Sequence, residues 1–134
     1  MTLDLLKRSE KGAPLNATEH DANFTSIENA ANAFVSINGH IETVANKTYV
    51  LILKAPTAQT INSLTTDCAS GSCTAAVQID GVNVTGLSAL AVNTTETETN
   101  ATAANTVAVG TTVAIVITGN STCLDFWFTL KMTP

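Results

Sequence analysis

The chain has 134 residues, enough for one domain with a modest core and an appendage. Only 13% of the residues are charged, against about a quarter in ordinary globular proteins, so uncharged Thr, Asn and Ser must cover most of the surface. The formal net charge of −5, with few and mostly scattered cations, argues against nucleic acid as a partner, because phosphate binding requires clustered Lys and Arg.

The amino-terminal part of the chain predicts an extended arm followed by a helix. Residues 1–17 contain Gly12 and Pro14 and show no regular period, which is typical of an arm. Thr18 is a suitable N-cap residue, and Glu19 and Asp21 place negative charge in the first turn, at the positive end of the helix dipole. We therefore expect an arm over 1–17 and a helical stem or docking segment over 18–47.

Five apolar residues and Asn38 recur within this segment at alternating steps of three and four, as in a heptad repeat. The residues concerned are Phe24, Ile27, Ala31, Phe34, Asn38 and Ile41. Two heptads are too few for an independent coiled coil, and Asn38-Gly39 is expected to end or kink the helix. Two interpretations remain open: an amphipathic helix packed on its own β-domain, or a stem that bundles with neighbouring subunits.

From Thr48 onward the sequence changes to short β-rich segments at roughly 8–12-residue spacing. The predicted strands are residues 49–53, 60–66, 73–79, 82–85, 89–93, 106–109, 112–118 and 123–132. Their number and spacing indicate a mainly β fold over 48–134, an antiparallel β-sandwich or jelly-roll-like module preceded by the arm and one α-helix.

Turn residues and alternation refine this prediction. Asp80-Gly81 is the strongest hairpin signal, and Gly119-Asn120 is predicted to be another turn. Residues 94–105 are polar and Thr-rich, and suit either a long edge strand or a loop. In the last strand, alternation places Phe126 and Phe128 on one face and Trp127 on the other.

Three cysteines occur, and two of them are close in sequence. Cys68 and Cys73 flank Ala-Ser-Gly-Ser, predicted to be a flexible loop at a hairpin end, so a disulfide between them is geometrically feasible. Synthesis in a reducing cytoplasm favours free thiols instead. Zinc is disfavoured, because there is no fourth cysteine and neither histidine is near in sequence.

The sequence contains no constellation typical of an enzyme. There is no nucleophile beside a base, no metal motif and no phosphate-binding Gly loop, so we expect no catalytic residue, no metal and no cofactor. Glu96 and Glu98 alone are a weak calcium motif. The apolar runs are strand-length and the amino end lacks the pattern of a signal peptide, so neither membrane insertion nor secretion is expected.

One segment resembles a known family. Residues 11–25 read Lys-Gly-Ala-Pro-Leu-Asn-Ala-Thr-Glu-His-Asp-Ala-Asn-Phe-Thr. This stretch, continuing to Ile27 and Asn29, is similar to the Lys-Gly-x-Pro-Leu-Thr-x-x-Glu-x-Asp-Asn-Phe segment near the amino ends of tailed-bacteriophage tail-fibre and other virion proteins. The similarity covers about residues 8–34. Asn16 stands where that family usually has Thr. The β-rich part, with phrases such as Val-Gln-Ile-Asp-Gly-Val-Asn-Val-Thr-Gly, is more loosely similar to small phage β-modules.

The resemblance implies a non-enzymatic virion subunit, made in the host bacterial cytoplasm and attached to the particle through its amino-terminal segment. It implies a trimeric tail fibre or spike, with other virion proteins and a host-surface receptor as partners. The alternative is a capsid decoration or cement protein, and a secreted adhesin is disfavoured by the missing signal peptide. The implied docking and assembly residues are Lys11, Gly12, Pro14, Leu15, Glu19, Asp21, Asn23, Phe24, Ile27 and Phe34. The same residues can instead serve only to cap and anchor the chain's own helix.

Overall fold

The structure, a computed structural model, describes residues 13–14, 16–31 and 34–134. It contains helix α1 (Ala17–Ala31) and eight strands. The strands are β1 (Val35–Thr43), β2 (Thr48–Ile52), β3 (Gln59–Ile79), β4 (Val82–Asn83), β5 (Leu90–Val92), β6 (Thr97–Asn100), β7 (Thr106–Val107) and β8 (Val113–Thr133). All the strands lie in one compact unit, Phe34–Thr133, and α1 lies in a separate unit.

Helix α1 begins with a reciprocal cap. The Glu19 amide donates to Asn16 Oδ1 at 3.0 Å, and the Asn16 amide donates to Glu19 Oε2 at 2.7 Å. This is a capping box, in which two amides that the first turn leaves unpaired find side-chain acceptors. The predicted N-cap at Thr18 is therefore wrong, because Asn16 provides the capping oxygen and Thr18 already lies inside the helix.

The predicted helical stem over 18–47 is wrong beyond Ala31. Val35–Thr43 is strand β1, which pairs antiparallel with β8 from Val35↔Met132 to Thr43↔Leu124. Along β1 the half-buried positions alternate, at Ile37, Gly39 and Ile41, while the side chains between them are exposed. Burial along this segment therefore follows the two-residue period of a strand and not the heptad pattern of a helix. Pairing with the distant strand β8 overrides the local pattern. The β-module accordingly begins at Phe34 and not at residue 48.

The two longest strands, β3 and β8, organise the sheet. Each has 21 residues, and they pair along almost their whole length, from Thr60↔Thr133 to Ile79↔Val113. We call residues 59–68 of β3 with 124–133 of β8 the first half, and residues 73–79 with 113–118 the second half. Strand β1 extends the first half on the β8 side, with β6 and β7 on the β3 side. Strand β2 extends the second half on the β8 side, with β4 and β5 on the β3 side.

Between the halves both long strands are irregular. The β3–β8 register shifts on each side of Ser72, and Gly71, Gly119 and Thr122 have positive φ. A Cβ on Gly71 would lie 2.2 Å from the Thr122 carbonyl oxygen, so only glycine allows the strands to approach this closely. The predicted loop between Cys68 and Cys73 and the predicted turn at 119–120 are therefore wrong: both are bulges in continuous strands.

Both halves contribute to one hydrophobic core. Its fully buried side chains include Ile61, Leu64, Val77, Ile115, Phe126 and Leu130. Since the two halves of the eight-stranded antiparallel sheet share this core, the fold is consistent with a β-sandwich. The predicted fold class, mainly β with one α-helix, is confirmed for the described residues.

The predicted hairpin at Asp80-Gly81 is also confirmed. Asp80 and Gly81, with φ of 49° and 80°, connect β3 and β4 as a tight hairpin with the pair Ile79↔Val82. In the ambiguous segment 94–105, only Thr97–Asn100 is a strand, and it pairs with β3. No helix within the described ranges is both long and apolar enough to span a membrane.

Candidate functional site

A groove of about 420 Å³ lies along the first half of the sheet. Strands β1, β3 and β8 and the segment before β6 all contribute to it. Its lining consists of Asn38, Gly39, Thr65, Thr66, Asp67, Glu96, Trp127, Phe128 and Thr129. Its volume is within the range of small-molecule sites in proteins.

Alternation along β8 explains why an aromatic ring lines this groove. Phe126 and Phe128 are 0% and 7% exposed and belong to the core, whereas Trp127, between them, is 45% exposed. The predicted division of these three side chains between two faces is therefore confirmed. Register then sets the neighbours of the tryptophan, since His40 of β1 and Asp67 of β3 both pair with Trp127.

The indole of Trp127 is held by an imidazole and a carboxylate. The rings of His40 and Trp127 stack with centroids 5.1 Å apart and an interplanar angle of 12°. His40 Nε2 lies 2.8 Å from Asp125 Oδ1, which fixes the imidazole against the indole. One face of the indole is thus covered, and the side chain has a defined orientation at the surface.

Along the next row of the sheet the groove is lined by uncharged polar groups. Thr129 Oγ1 donates to Asn38 Oδ1 at 2.9 Å, and Asn38 Nδ2 donates to Ser36 Oγ at 3.3 Å. Thr65 is the β3 partner of Thr129. Thr129 and Asn38 are thus hydrogen-bonded to each other within the lining, and its strongest hydrogen-bond acceptors are the carboxylates.

The carboxylates near the groove differ in their surroundings. Asp67 Oδ1 is buried and has no hydrogen-bond partner among the described residues, an arrangement that costs free energy unless a donor is supplied. Glu98 instead accepts from Ser63 Oγ at 2.7 Å and lies 3.6 Å from Lys131 Nζ. The hydrogen bond from Ser63, and then the Lys131 charge, lower the pKa of Glu98.

The calcium interpretation of Glu96 and Glu98 receives no support from this geometry. Glu98 is engaged by Ser63 and Lys131, and only Glu96 lines the groove. Among the residues that the structure describes, no cluster of three or more His, Cys, Asp or Glu side chains is arranged to hold a metal ion.

The three cysteines converge near the bulges of β3 and β8, and all three are free and buried. The Cys68 thiol donates to the Gly71 carbonyl oxygen, with Sγ and O 3.6 Å apart, and Cys123 contributes to the pKa shifts of both Cys68 and Cys73. Burial, followed by contact with Cys123, raises the pKa of Cys68 to about 11, and burial also raises the pKa of Cys73 and Cys123. Cys123 is thus a neighbour of both Cys68 and Cys73, the two cysteines that the sequence suggests as a pair. The spacing of the cysteines in the sequence does not reveal this role of Cys123.

The structure describes most of the docking residues predicted on and before the helix. Pro14, Asp21, Phe24 and Ile27 are exposed, and Asn23 is half-buried. Glu19 belongs to the capping box. The predicted residues Lys11, Gly12 and Leu15 lie outside the described residues.

Phe34 does not belong with the helical set. It lies just before β1 in the β-unit, 63% exposed, with Lys131 Nζ 5.0 Å from its ring centroid. By contrast, Phe24 and Ile27, which are 64% and 47% exposed, lie three residues apart on α1 and therefore on the same face of the helix.

No protein-family model matches the sequence, and comparison with curated proteins finds no match either. Among solved structures, the chain is similar to a protein from Bacillus endospore appendages, described as a novel family of disulfide-linked pili. The identity is 18% and the TM-score 0.39, over 76% of this chain and 88% of that chain. It is also similar to a protein of the infectious bursal disease virus Gx strain, with 13% identity and a TM-score of 0.37, over 77% of this chain and 30% of that chain. At these TM-scores neither likeness is an argument about function.

Proposed function

We propose that this chain is a non-enzymatic structural subunit of a bacteriophage particle, attached through its amino-terminal segment. The observation on which the proposal rests is the apolar face of α1, formed by Phe24 and Ile27. The capping box at Asn16 and Glu19 fixes the start of this helix, so the face is presented on an ordered element. The same residues fall within the segment that resembles the attachment segment of phage virion proteins.

The energetics of this face suit an assembly of many copies. Complete burial of a Phe or Ile side chain contributes about 1.5–3 kcal/mol, so burying the exposed parts of both yields about 2–3 kcal/mol per helix. This is too little for a stable isolated contact, but contacts repeated in one particle add through effective concentration. The β-unit, with few charges, is inexpensive to pack against copies of itself.

Within this function we favour a small trimeric tail fibre or spike whose β-unit contacts a host-surface receptor. The α1 face serves both trimerisation and attachment in this proposal. A capsid decoration or cement protein that stabilises the head is the second candidate. It is favoured by the scarcity of aromatic residues, since only six of 134 are Phe, Trp or Tyr and recognition surfaces are usually rich in them.

Gold-labelled antibody electron microscopy on intact virions separates the two candidates. Label at the tail tip or baseplate supports the fibre or spike, and label over the capsid supports decoration. Absence of label from every particle overturns the virion proposal.

A variant pair tests the role of the helix face. Phe24→Asp with Ile27→Asp should abolish incorporation into particles and reduce the purified trimer to monomers in light scattering. Ala22→Asp is the matched control, because Ala22 is an exposed residue on the opposite side of the same helix. Equal incorporation of both variants would show that the α1 face is not the attachment element.

A further inference from the structure

We propose that the groove beside Trp127 binds a neutral carbohydrate, with one pyranose ring on the open face of the indole. This inference rests on the groove alone and not on the virion role proposed above. Trp127 is 45% exposed and lies outside the core, and its described ring contact is the stacked imidazole of His40, which covers one face of the indole.

The indole is arranged as a platform. His40 covers one of its faces and is itself held by Asp125, so the ring cannot turn freely. His40 is outside the lining of the groove, whereas Trp127 is within it, so the face opposite His40 is the one available to a ligand. A flat, oriented aromatic face suits the C–H face of a sugar ring, because both are apolar and each has a polar edge.

The polar groups of the groove define what the ligand must supply. Asp67 Oδ1 is buried without a donor from the described residues, and Glu96 lines the same groove. Ionised carboxylates only accept hydrogen bonds, and Thr129 already donates to Asn38. The ligand must therefore bring several hydrogen-bond donors together with an apolar face, and a pyranose has both.

Other ligand classes fit less well. Two carboxylates repel phosphates and other anions, and the nearby Lys131 is engaged by Glu98 and is not part of the lining. Organic cations are usually enclosed by several aromatic rings. Here Trp127 is the one exposed ring of the lining, because Phe128 is buried in the core. Most of the remaining polar lining is uncharged, which favours a neutral polyol.

The chain contains a single tryptophan, so its fluorescence reports on this groove alone. The full-length protein should be titrated at millimolar concentrations with glucose, galactose, mannose and N-acetylglucosamine, and with choline and lysine as cationic probes. We expect a saturable change in emission with at least one sugar, together with saturation-transfer NMR signals from protons on one face of that sugar.

Two matched carboxylate variants test the assignment. Asp67→Asn should weaken sugar binding at least tenfold, because a hydrogen bond to a charged acceptor is lost. Glu42→Gln removes an exposed carboxylate of β1 outside the groove and should leave binding unchanged. Trp127→Phe, followed by NMR, should weaken binding while the circular dichroism spectrum is preserved.

The proposal is overturned if no sugar of the panel gives a fluorescence change or a saturation-transfer signal. It is also overturned if choline or lysine binds and the sugars do not, which would identify a cation site. Equal binding by the Asp67→Asn variant and the native protein would remove Asp67 from the site. Virion labelling does not enter any of these outcomes, so the two proposals can fail separately.

Discussion

Gly39 offers a stringent test of the packing described for the first half of the sheet. It pairs with Phe128 across β1 and β8, and a Cβ at this position would lie 2.2 Å from Cζ and 2.4 Å from Cε1 of that ring. The ring itself is 7% exposed and packs against Phe126 with centroids 5.6 Å apart. Because the ring is confined on its other side, we expect Gly39→Ala to destabilise the β-unit.

The magnitude follows from two opposing terms. In a strand without a clash, alanine is favoured over glycine by about 0.5–1 kcal/mol. Forcing an extra carbon into a filled core costs about 1–3 kcal/mol, and the contacts at Gly39 call for the upper part of that range. The net loss is therefore about 1–2 kcal/mol, which for a unit of this size corresponds to a decrease in Tm of about 4–16 °C.

Urea and thermal unfolding, followed by circular dichroism, measure this loss in a double-mutant cycle with Phe128→Leu. Leucine has no atoms where Cζ and Cε1 lie, so Gly39→Ala should become neutral or stabilising in that background. Gly81→Ala is the control, because nothing lies within 4 Å of its Cβ and its cost arises from a φ of +80° alone. If Gly39→Ala costs the same in both backgrounds, or stabilises the native protein, the packing argument is refuted.

Three further predictions concern the thiols, a carboxylate and the helix cap. The buried thiols should not react with a thiol reagent at pH 8 until the protein unfolds. Folding raises the pKa of Cys68 from 9.0 to about 11. The contribution of this thiol to stability is therefore complete below pH 9 and lost between pH 9 and 11. If the stability of Cys68→Ala falls with alkaline pH in the same way as that of the native protein, this prediction is contradicted. The lowered pKa of Glu98 means that its contribution is present above pH 4.5 and lost as the pH falls through the folded value. Ser63→Ala should move the pKa of Glu98 back toward its ordinary value in an NMR titration, and no movement would remove Ser63 as the main cause. Asn16→Ala should weaken α1 by about 1 kcal/mol in amide exchange and Thr18→Ala by much less, and the reverse order would restore Thr18 as the cap.

Features set by neighbouring residues could be predicted from the sequence. The Asp80-Gly81 hairpin depends on two residues that accept positive φ, and the alternation at Phe126, Trp127 and Phe128 depends on the period of a strand. Both are decided within a few positions of the chain. They were therefore accessible without knowledge of any distant partner.

Features set by distant partners were predicted incorrectly. Ile37 and Ile41 fit a spacing of two or of four, and only pairing with β8 selects the strand. Gly71 and Gly119 suit a turn or a bulge equally well, and the partner strand decides between them. Alternation places Trp127 on the face opposite Phe126 and Phe128, but its neighbours in the groove come from β1 and β3. Their arrangement depends on register, which short sequence patterns do not specify.

The pairing of the strands also determines when the β-unit can fold. Among the described strands, β1 and β2 pair only with β8, which also provides Ile115, Phe126 and Leu130 to the core. A ribosome synthesises this strand after all the others, so β1 and β2 leave the ribosome without partners. Contacts between residues far apart in sequence form slowly, and strands that are still unpaired are prone to aggregation. Folding of the β-unit is therefore expected to be all-or-none and to begin only after β8 has been synthesised, with chaperones protecting the nascent chain until then.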